Sequence, residues 1–260
     1  MWCNMEKVIL ILIDGMRTDG LLTCGSDYVN VLKEQSTYTL NGKSVVPSVT
    51  LPCHVSLFHS VPPERHGTLT NNYAIPVRPV SGLFETIHSA GKKATMFYSW
   101  EKLRDIGTPG CLDACEFLRI QSFDGVDGRL TDKTIAYVNE NKPDFVFLYL
   151  GETDDIGGHK FGWMSAEYLE FIRVAMECVK KVVDATGDEY TVIVTADHGG
   201  HDRTHGTEMD EDMIIPMFFR GNKFAKNKEL PTISLLDIAP TVADVLGISI
   251  PDDWEGKSIL

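Results

Sequence analysis

Lys7 to Ile13 (KVILILI) is an unbroken apolar run of mostly branched side chains that stops at Asp14-Gly15. A strand with one wet face alternates in polarity, so a run that is apolar on both faces predicts a strand buried between two layers. The same character returns at Ala94 to Tyr98, Asp144 to Leu150 and Tyr190 to Thr195. Met213 to Phe219 predicts a fifth strand, placed near an edge or a bulge because it carries Pro216. Helical spacing fills the intervals: Ser81 to Ala90, Arg129 to Asn139, Ser165 to Thr186, and Leu235 to Leu246 with Ser234 as its cap. Strands alternating with helices predict an α/β fold, a mostly parallel central sheet with helices on both faces. No repeat, low-complexity tract or Pro/Gly/Ser linker interrupts the chain, so residues 1–260 read as a single domain.

In such sheets ligands collect at the carboxyl ends of the strands. Asp14 follows the first strand, Asp154 and Asp155 come shortly after Leu150, and Asp197-His198 follows Thr195. Acidic side chains from three separate segments are thereby expected on one rim. Overall charge gives this weight, because 24 Lys and Arg against 37 Asp and Glu leave a net −13 with no block of basic residues. That balance argues against a nucleic-acid polymer as partner. An acidic protein that handles an anion needs locally concentrated positive charge, which bound divalent cations can supply. The six cysteines (Cys3, Cys24, Cys53, Cys111, Cys115 and Cys178) form no CxxC pair, and the first apolar run is too short for a signal peptide or a spanning helix. The expectation is a cytoplasmic protein with reduced thiols and no membrane association.

The candidate chemistry lies in two Gly-bearing segments. ETDDIGGHKFG (152–162) offers Asp155 and His159, and TADHGGHDRTHGT (195–207) offers Asp197, His198 and His205. Imidazole with carboxylate is a normal ligand set for zinc. With Asp14 there are six candidates for two adjacent metals. VPSVTLPCHVSLFHS (46–60) reads as a loop entering a helix, with Thr50 near the helix start and Pro52 in the first turn. A hydroxyl there sits where backbone N–H groups favour an anion, and a metal on the same oxygen would make it a nucleophile. Thr50 as a plain helix cap is the alternative without the metal cluster.

Together, IDG (13–15), PSVTLP around Thr50, HGTLTN (66–71), D-x-x-G-H (155–159), ADHGG (196–200) and HG (205–206) resemble the alkaline phosphatase superfamily. The threonine resembles its nucleotide pyrophosphatase/phosphodiesterase branch in particular. The closing LLDIAPTVADVLGISIPDDWEGKSIL is also similar to the end of many members. The resemblance implies an alkaline phosphatase-like fold in a minimal form without a large cap insertion. It implies two divalent metals, zinc preferred with manganese or iron as alternatives. Asp14, Thr50, Asp197 and His198 would surround one ion, and Asp155, His159 and His205 the other. Asn71 would donate a hydrogen bond to a phosphoryl oxygen. Where the family reads E-P-D-x-x-G-H this chain has one residue more, so Asp154 competes with Asp155, and the spacing to His159 selects Asp155.

The function implied is hydrolysis of a small phosphorus ester, possibly a nucleotide, through a covalent phosphothreonine, with monoesterase or phosphonate hydrolase action as the alternative. A mutase ranks lower because the 104 residues between Thr50 and Asp155 leave no room for a lid. The sulfatase reading raised by Cys53 falls behind because C-x-P-x-R is absent from CHVSL. His201 is expected to be a partner or solvated, and His54 and His66 to position the loop.

Overall fold

The computed structural model describes residues 6–76, 78–120 and 125–260; Cys3 lies outside them. Among these residues eight strands form one sheet: β1 Lys7–Ile13, β2 Thr37–Lys43, β3 Ala94–Tyr98, β4 Ala114–Phe117, β5 Phe145–Leu150, β6 Tyr190–Thr195, β7 Ile214–Arg220 and β8 Lys228–Glu229. Their spatial order is β4-β3-β5-β1-β6-β7-β2-β8. Only β7 runs against the rest, pairing antiparallel with both β6 and β2. The sheet is therefore mostly parallel, as the two-sided apolar runs require. Every residue of β1 from Val8 to Ile13 is fully buried, and β5 and β6 are buried along their length. Each such Val, Leu or Ile contributes about 1.5–3 kcal/mol by leaving water. That makes the three middle strands the rigid part of the frame.

Among the described residues, nine α-helices accompany the sheet: α1 Thr18–Thr23, α2 Tyr28–Gln35, α3 Thr50–His59, α4 Pro63–His66, α5 Leu83–Ser89, α6 Val126–Asn141, α7 Ala166–Thr186, α8 Asp210–Met213 and α9 Ile238–Leu246. One layer is built around α7, which packs on α6, α1 and α2; the other joins α3, α5 and α9. Ser234 caps as expected, and Ser165 does the same at α7. Ser165 accepts from the Tyr168 N–H at the head of α7, and Ser234 forms a capping box with Asp237 ahead of α9.

Pro216 corrects one expectation in part. β7 is an interior strand, not an edge, but the partner β2 changes register between Thr39 and Gly42, opposite Met217 and Ile215. Pro216 thus falls opposite the irregular stretch, where its missing N–H breaks no ladder bond. No described helix is long and apolar enough to cross a membrane.

Candidate active site

β5, β1 and β6 are neighbours in the sheet, and the first residues beyond them bring three carboxylates to one point of the rim. Asp14, Asp154 and Asp197 are all buried, and Asp14 Oδ1, Asp154 Oδ1 and Asp197 Oδ2 have no hydrogen-bond partner among the described residues. Burial, with Asp197 and Asp154 close by, pushes the Asp14 carboxyl well above the usual carboxylate range. Burial also raises Asp197. Burial works against ionisation of Asp154 too, but its hydrogen bond to His159 and the nearby His198 and His205 bring it below the usual value. Converging, unpaired carboxylate oxygens in a dry site are stable only when a cation compensates them.

The imidazoles are oriented for that task. His198 gives Nδ1 to the Gly199 carbonyl at 2.7 Å, His205 to Ser48 at 2.8 Å and His159 to Arg203 at 3.0 Å. A ring that donates Nδ1–H to a carbonyl keeps its Nε2 lone pair for a metal. Nε2 of His198 lies 3.4 Å from Asp14 Oδ1 and 3.4 Å from Asp197 Oδ2. The His198 and His205 rings stack at 3.9 Å, and burial lowers the pKa of both, that of His205 to about 4. Two ligand groups result, Asp14 with Asp197 and His198, and Asp154 with His198 and His205, each with ligand atoms within 4.8 Å of one another. His159 approaches the second group, its Nε2 3.4 Å from Asp154 Oδ2. That contact raises its pKa to about 9.

Asp155 is the residue the structure does not bring in. It is exposed, whereas Asp154 enters the cluster. Thr153–Phe161 is π-helical, with backbone bonds that span five residues, and within it His159 Nε2 lies 3.4 Å from Asp154 Oδ2. The extra residue in ETDDIGGH is absorbed by that wider turn. His201, as expected, lies outside both groups, with its Nδ1 2.7 Å from Asp212 Oδ1.

Thr50 is the first residue of α3, and its Oγ1 lies 3.1 Å from His198 Nε2. Asn71 Oδ1 accepts the Leu51 N–H at 3.0 Å, which leaves its Nδ2 as a donor beside Thr50. His66 ties the segment before Asn71 to α3: its Nδ1 accepts the Thr68 N–H and its Nε2 faces Ser56 Oγ at 3.0 Å. His54 returns Nδ1 to the Thr50 carbonyl at 2.7 Å. Cys53 turns away toward Ser44 and Pro47, and burial holds its thiol protonated.

Several supporting residues carried no recognisable signal in sequence. The Tyr149 hydroxyl donates to Asp14 Oδ2. Trp163 Nε1 and the Tyr168 hydroxyl both donate to the Gly15 carbonyl, at 2.9 and 2.8 Å. Gly158 and Gly200 make room for the same tryptophan: a Cβ on either would stand 2.5 or 2.2 Å from its indole. Gly15, at φ +66°, would bring a Cβ within 2.8 Å of Asp154 Oδ1.

Comparison with known proteins gives the family. The family model "Metalloenzyme superfamily" matches residues 107–250, more than half of the chain. The chain belongs to that superfamily. A second model, "Type I phosphodiesterase / nucleotide pyrophosphatase", matches residues 8–95, the part that carries Asp14, Thr50 and Asn71. Together they place the chain in the alkaline phosphatase superfamily, near its phosphodiesterase branch. Among superfamily members, murine ectonucleotide pyrophosphatase/phosphodiesterase 5 superposes with TM-score 0.80 at 14% identity, over 96% of this chain and 98% of that one. A form of that enzyme, inactive through a threonine-to-alanine substitution, is known in complex with AMP. The phosphonate monoester hydrolase of Silicibacter pomeroyi has TM-score 0.76 at 16% identity, over 98% of this chain and 76% of that one. By sequence, a 2,3-bisphosphoglycerate-independent phosphoglycerate mutase of Bacteroides thetaiotaomicron is 32% identical over 137 residues, 50% of this chain and 26% of the mutase. A phosphopentomutase of Acetivibrio thermocellus is 30% identical over 138 residues, 53% of this chain and 34% of that one. The matched stretch thus spans between a quarter and a third of these curated relatives.

Two outcomes follow. Asp154→Asn should lower zinc stoichiometry, measured by equilibrium dialysis, from about two ions per chain to roughly one, while Asp155→Asn keeps both; the reverse pattern would return the ligand role to Asp155. His66, held by burial near a pKa of about 4 against about 6.5 in an unfolded chain, stays neutral while the unfolded state takes a proton. Its stabilisation is therefore complete above about pH 6.5 and lost as pH falls toward 4. Tm measured across that window should fall less steeply in His66→Gln than in the parent protein.

Proposed function

We propose that the chain hydrolyses phosphoric esters in the manner of the phosphodiesterase/nucleotide pyrophosphatase branch, with Thr50 as nucleophile and a covalent phosphothreonine intermediate. The observation that carries this reading is the Thr50 hydroxyl at the start of α3, 3.1 Å from His198 Nε2 and therefore on the two-carboxylate, one-imidazole group. The unpaired oxygens of Asp14, Asp154 and Asp197 fit divalent metals. Asp14, Asp197 and His198, with the Thr50 oxygen, would hold one ion, and Asp154, His205 and His159 the second. Zinc suits this donor set, and manganese or iron would also accept it. Bound there, the ions supply Lewis-acid stabilisation of charge on the attacking, departing and phosphoryl oxygens.

The chain's own residues do the rest. Thr50 Oγ1 forms the new O–P bond as the ester O–P bond opposite it breaks, and its proton is lost as the departing alkoxide gains one. Asn71 Nδ2 donates to a non-bridging oxygen, and the start of α3 turns its positive dipole end toward the same charge. Water then cleaves the O–P bond to Thr50 and restores the hydroxyl. The known complex of the murine phosphodiesterase with AMP, in its inactive threonine-to-alanine form, supports both a threonine nucleophile and a nucleotide-type small substrate. A second reading, phosphoryl return to another hydroxyl of the same substrate, is favoured by the mutase relatives at 30–32% identity.

Metal-reconstituted protein should hydrolyse bis-p-nitrophenyl phosphate faster than p-nitrophenyl phosphate, and Thr50→Ala should lower that rate at least about a thousandfold while leaving Tm unchanged. Substantial turnover by Thr50→Ala would remove the covalent step. A preference for the monoester would make the chain a phosphatase, and isomerisation of a phosphosugar without release of inorganic phosphate would favour the mutase reading.

A further inference from the structure

The acidic run EMDED (208–212) closes the loop that follows β6, and its last member is unlike the rest. Glu208 and Asp210 are exposed, whereas Asp212 is fully buried. Its Oδ1 faces His201 Nδ1 at 2.7 Å, and its Oδ2 accepts both the Thr207 N–H at 2.8 Å and the Thr207 hydroxyl at 2.7 Å. Burial works against ionisation, but the hydrogen bonds from His201 and Thr207 bring the Asp212 carboxyl below the usual carboxylate range. A carboxylate withdrawn from water is stable only when its oxygens are filled in this way. The Asp212 backbone carbonyl also accepts the Gly199 N–H at 2.8 Å, a bond that any side-chain substitution leaves in place. One residue thus fastens the loop at 199, 201 and 207, on both sides of His205.

Thr207 passes that constraint to the segment before α3. Its carbonyl accepts the Ser48 hydroxyl at 2.7 Å, while His205 Nδ1 donates to the Ser48 carbonyl at 2.8 Å. Between these two bonds Gly206, at φ +111°, comes so close that a Cβ there would stand 3.2 Å from Val49 Cγ2. Residues 205, 206 and 207 therefore lie in turn against Ser48 and Val49, and Thr50 follows directly. Ser48 is fully buried, so water does not compete for its hydroxyl. The other nitrogen of His205, Nε2, lies 3.9 Å from Asp154 Oδ1 in the second ligand group. A continuous set of contacts thus runs from the Asp212 carboxylate through Thr207 and Ser48 to one metal-facing imidazole and to the residue that carries the nucleophilic hydroxyl.

We infer that Asp212 and Ser48 are positioning residues which, acting through Thr207, hold His205 at a fixed separation from Thr50, so that the second metal and the nucleophile keep the spacing an in-line displacement needs. Neither residue belongs to a ligand group. An imidazole places a metal only as well as the group on its other nitrogen places the ring, and here that group is the Ser48 carbonyl. A misplacement on the order of 1 Å in the reacting geometry costs about a hundredfold in rate. For its effect on rate the inference rests on the phosphoester reading above; its effect on metal affinity is separate from that reading.

Zinc titration against a chromophoric chelator, run beside steady-state hydrolysis of bis-p-nitrophenyl phosphate at saturating zinc, tests it. Ser48→Ala and Asp212→Ala should each weaken the second zinc ion about tenfold and lower kcat about 10–100-fold, with KM within about twofold of the parent. Ser48→Ala removes a single oxygen and carries the test even if Asp212→Ala fails to fold. The double variant should lose no more than the worse single one, because the two residues act in series. Asp212→Asn keeps an acceptor for Thr207, and His201 can take its other tautomer, so this variant should recover most of the loss. Asp210→Asn, exposed in the same acidic run, should match the parent in both measurements. On the Asp154→Asn background, where one ion is expected, Ser48→Ala should leave the affinity for that ion unchanged. A lowered Tm with zinc affinity and kcat unchanged in Ser48→Ala, losses that multiply in the double variant, or Asp212→Asn as poor as Asp212→Ala would overturn the inference. Two bound zinc ions, the second weakened in Ser48→Ala, in a protein that hydrolyses no p-nitrophenyl ester would instead overturn the phosphoester reading and leave the positioning of His205 standing.

Discussion

Three carboxylates that repel one another, gathered in a place water does not reach, are the constraint around which the rest is arranged. Burial pushes Asp14 and Asp197 toward the protonated form, while the neighbouring imidazoles keep Asp154 ionised. The surrounding groups are disposed to meet a cation there instead. Three imidazoles are locked by carbonyls in one tautomer, a tyrosine fixes the remaining oxygen of Asp14, and the Gly15 and His198 N–H groups hold Asp197 Oδ1. The apolar middle strands make this arrangement affordable in a marginally stable molecule. Fully buried residues on β1, β5 and β6 anchor the three acidic segments at spacings set by the sheet itself, so that ordering the site adds little to the entropy already spent on the frame.

Much of this is legible in the chain before any coordinates. β1, β3, β5 and β6 announce themselves because a strand covered on both faces must be apolar at every position. β2, β4 and β8 do not. Thr37–Lys43 carries Asn41-Gly42 at an irregularity, Ala114–Phe117 alternates over only four residues, and Lys228–Glu229 is exposed and two residues long. At the site, Asp14, Thr50, Asn71, Asp197, His198 and His205 are brought together, whereas Asp155 is not. The D-x-x-G-H spacing to His159 selects it, and the π-helical backbone of Thr153–Phe161 brings Asp154 to that histidine instead. The buried tyrosines and Trp163 are silent in sequence because an aromatic that hydrogen-bonds one carbonyl looks like any other core ring.

The two family models divide the molecule in an informative way. One covers residues 8–95 and the other 107–250. The metal-ligand cluster and Thr50 are built from matched segments. Whole-length structural agreement at 14–16% identity therefore speaks for the frame, and the chemistry of the ester's organic part has to be read from this chain's own side chains.

Trp163 has a mechanical meaning beyond its hydrogen bond to Gly15. Its indole is clasped by Gly158 from the π-helical segment and by Gly200 from the loop after β6, at separations that exclude even one methyl group. The two segments that carry the histidines are thus keyed to a single rigid plate. Neither can swing without displacing the other, and any adjustment between them must pass through that ring as a unit. The histidine-bearing side of the rim is thereby braced as one piece.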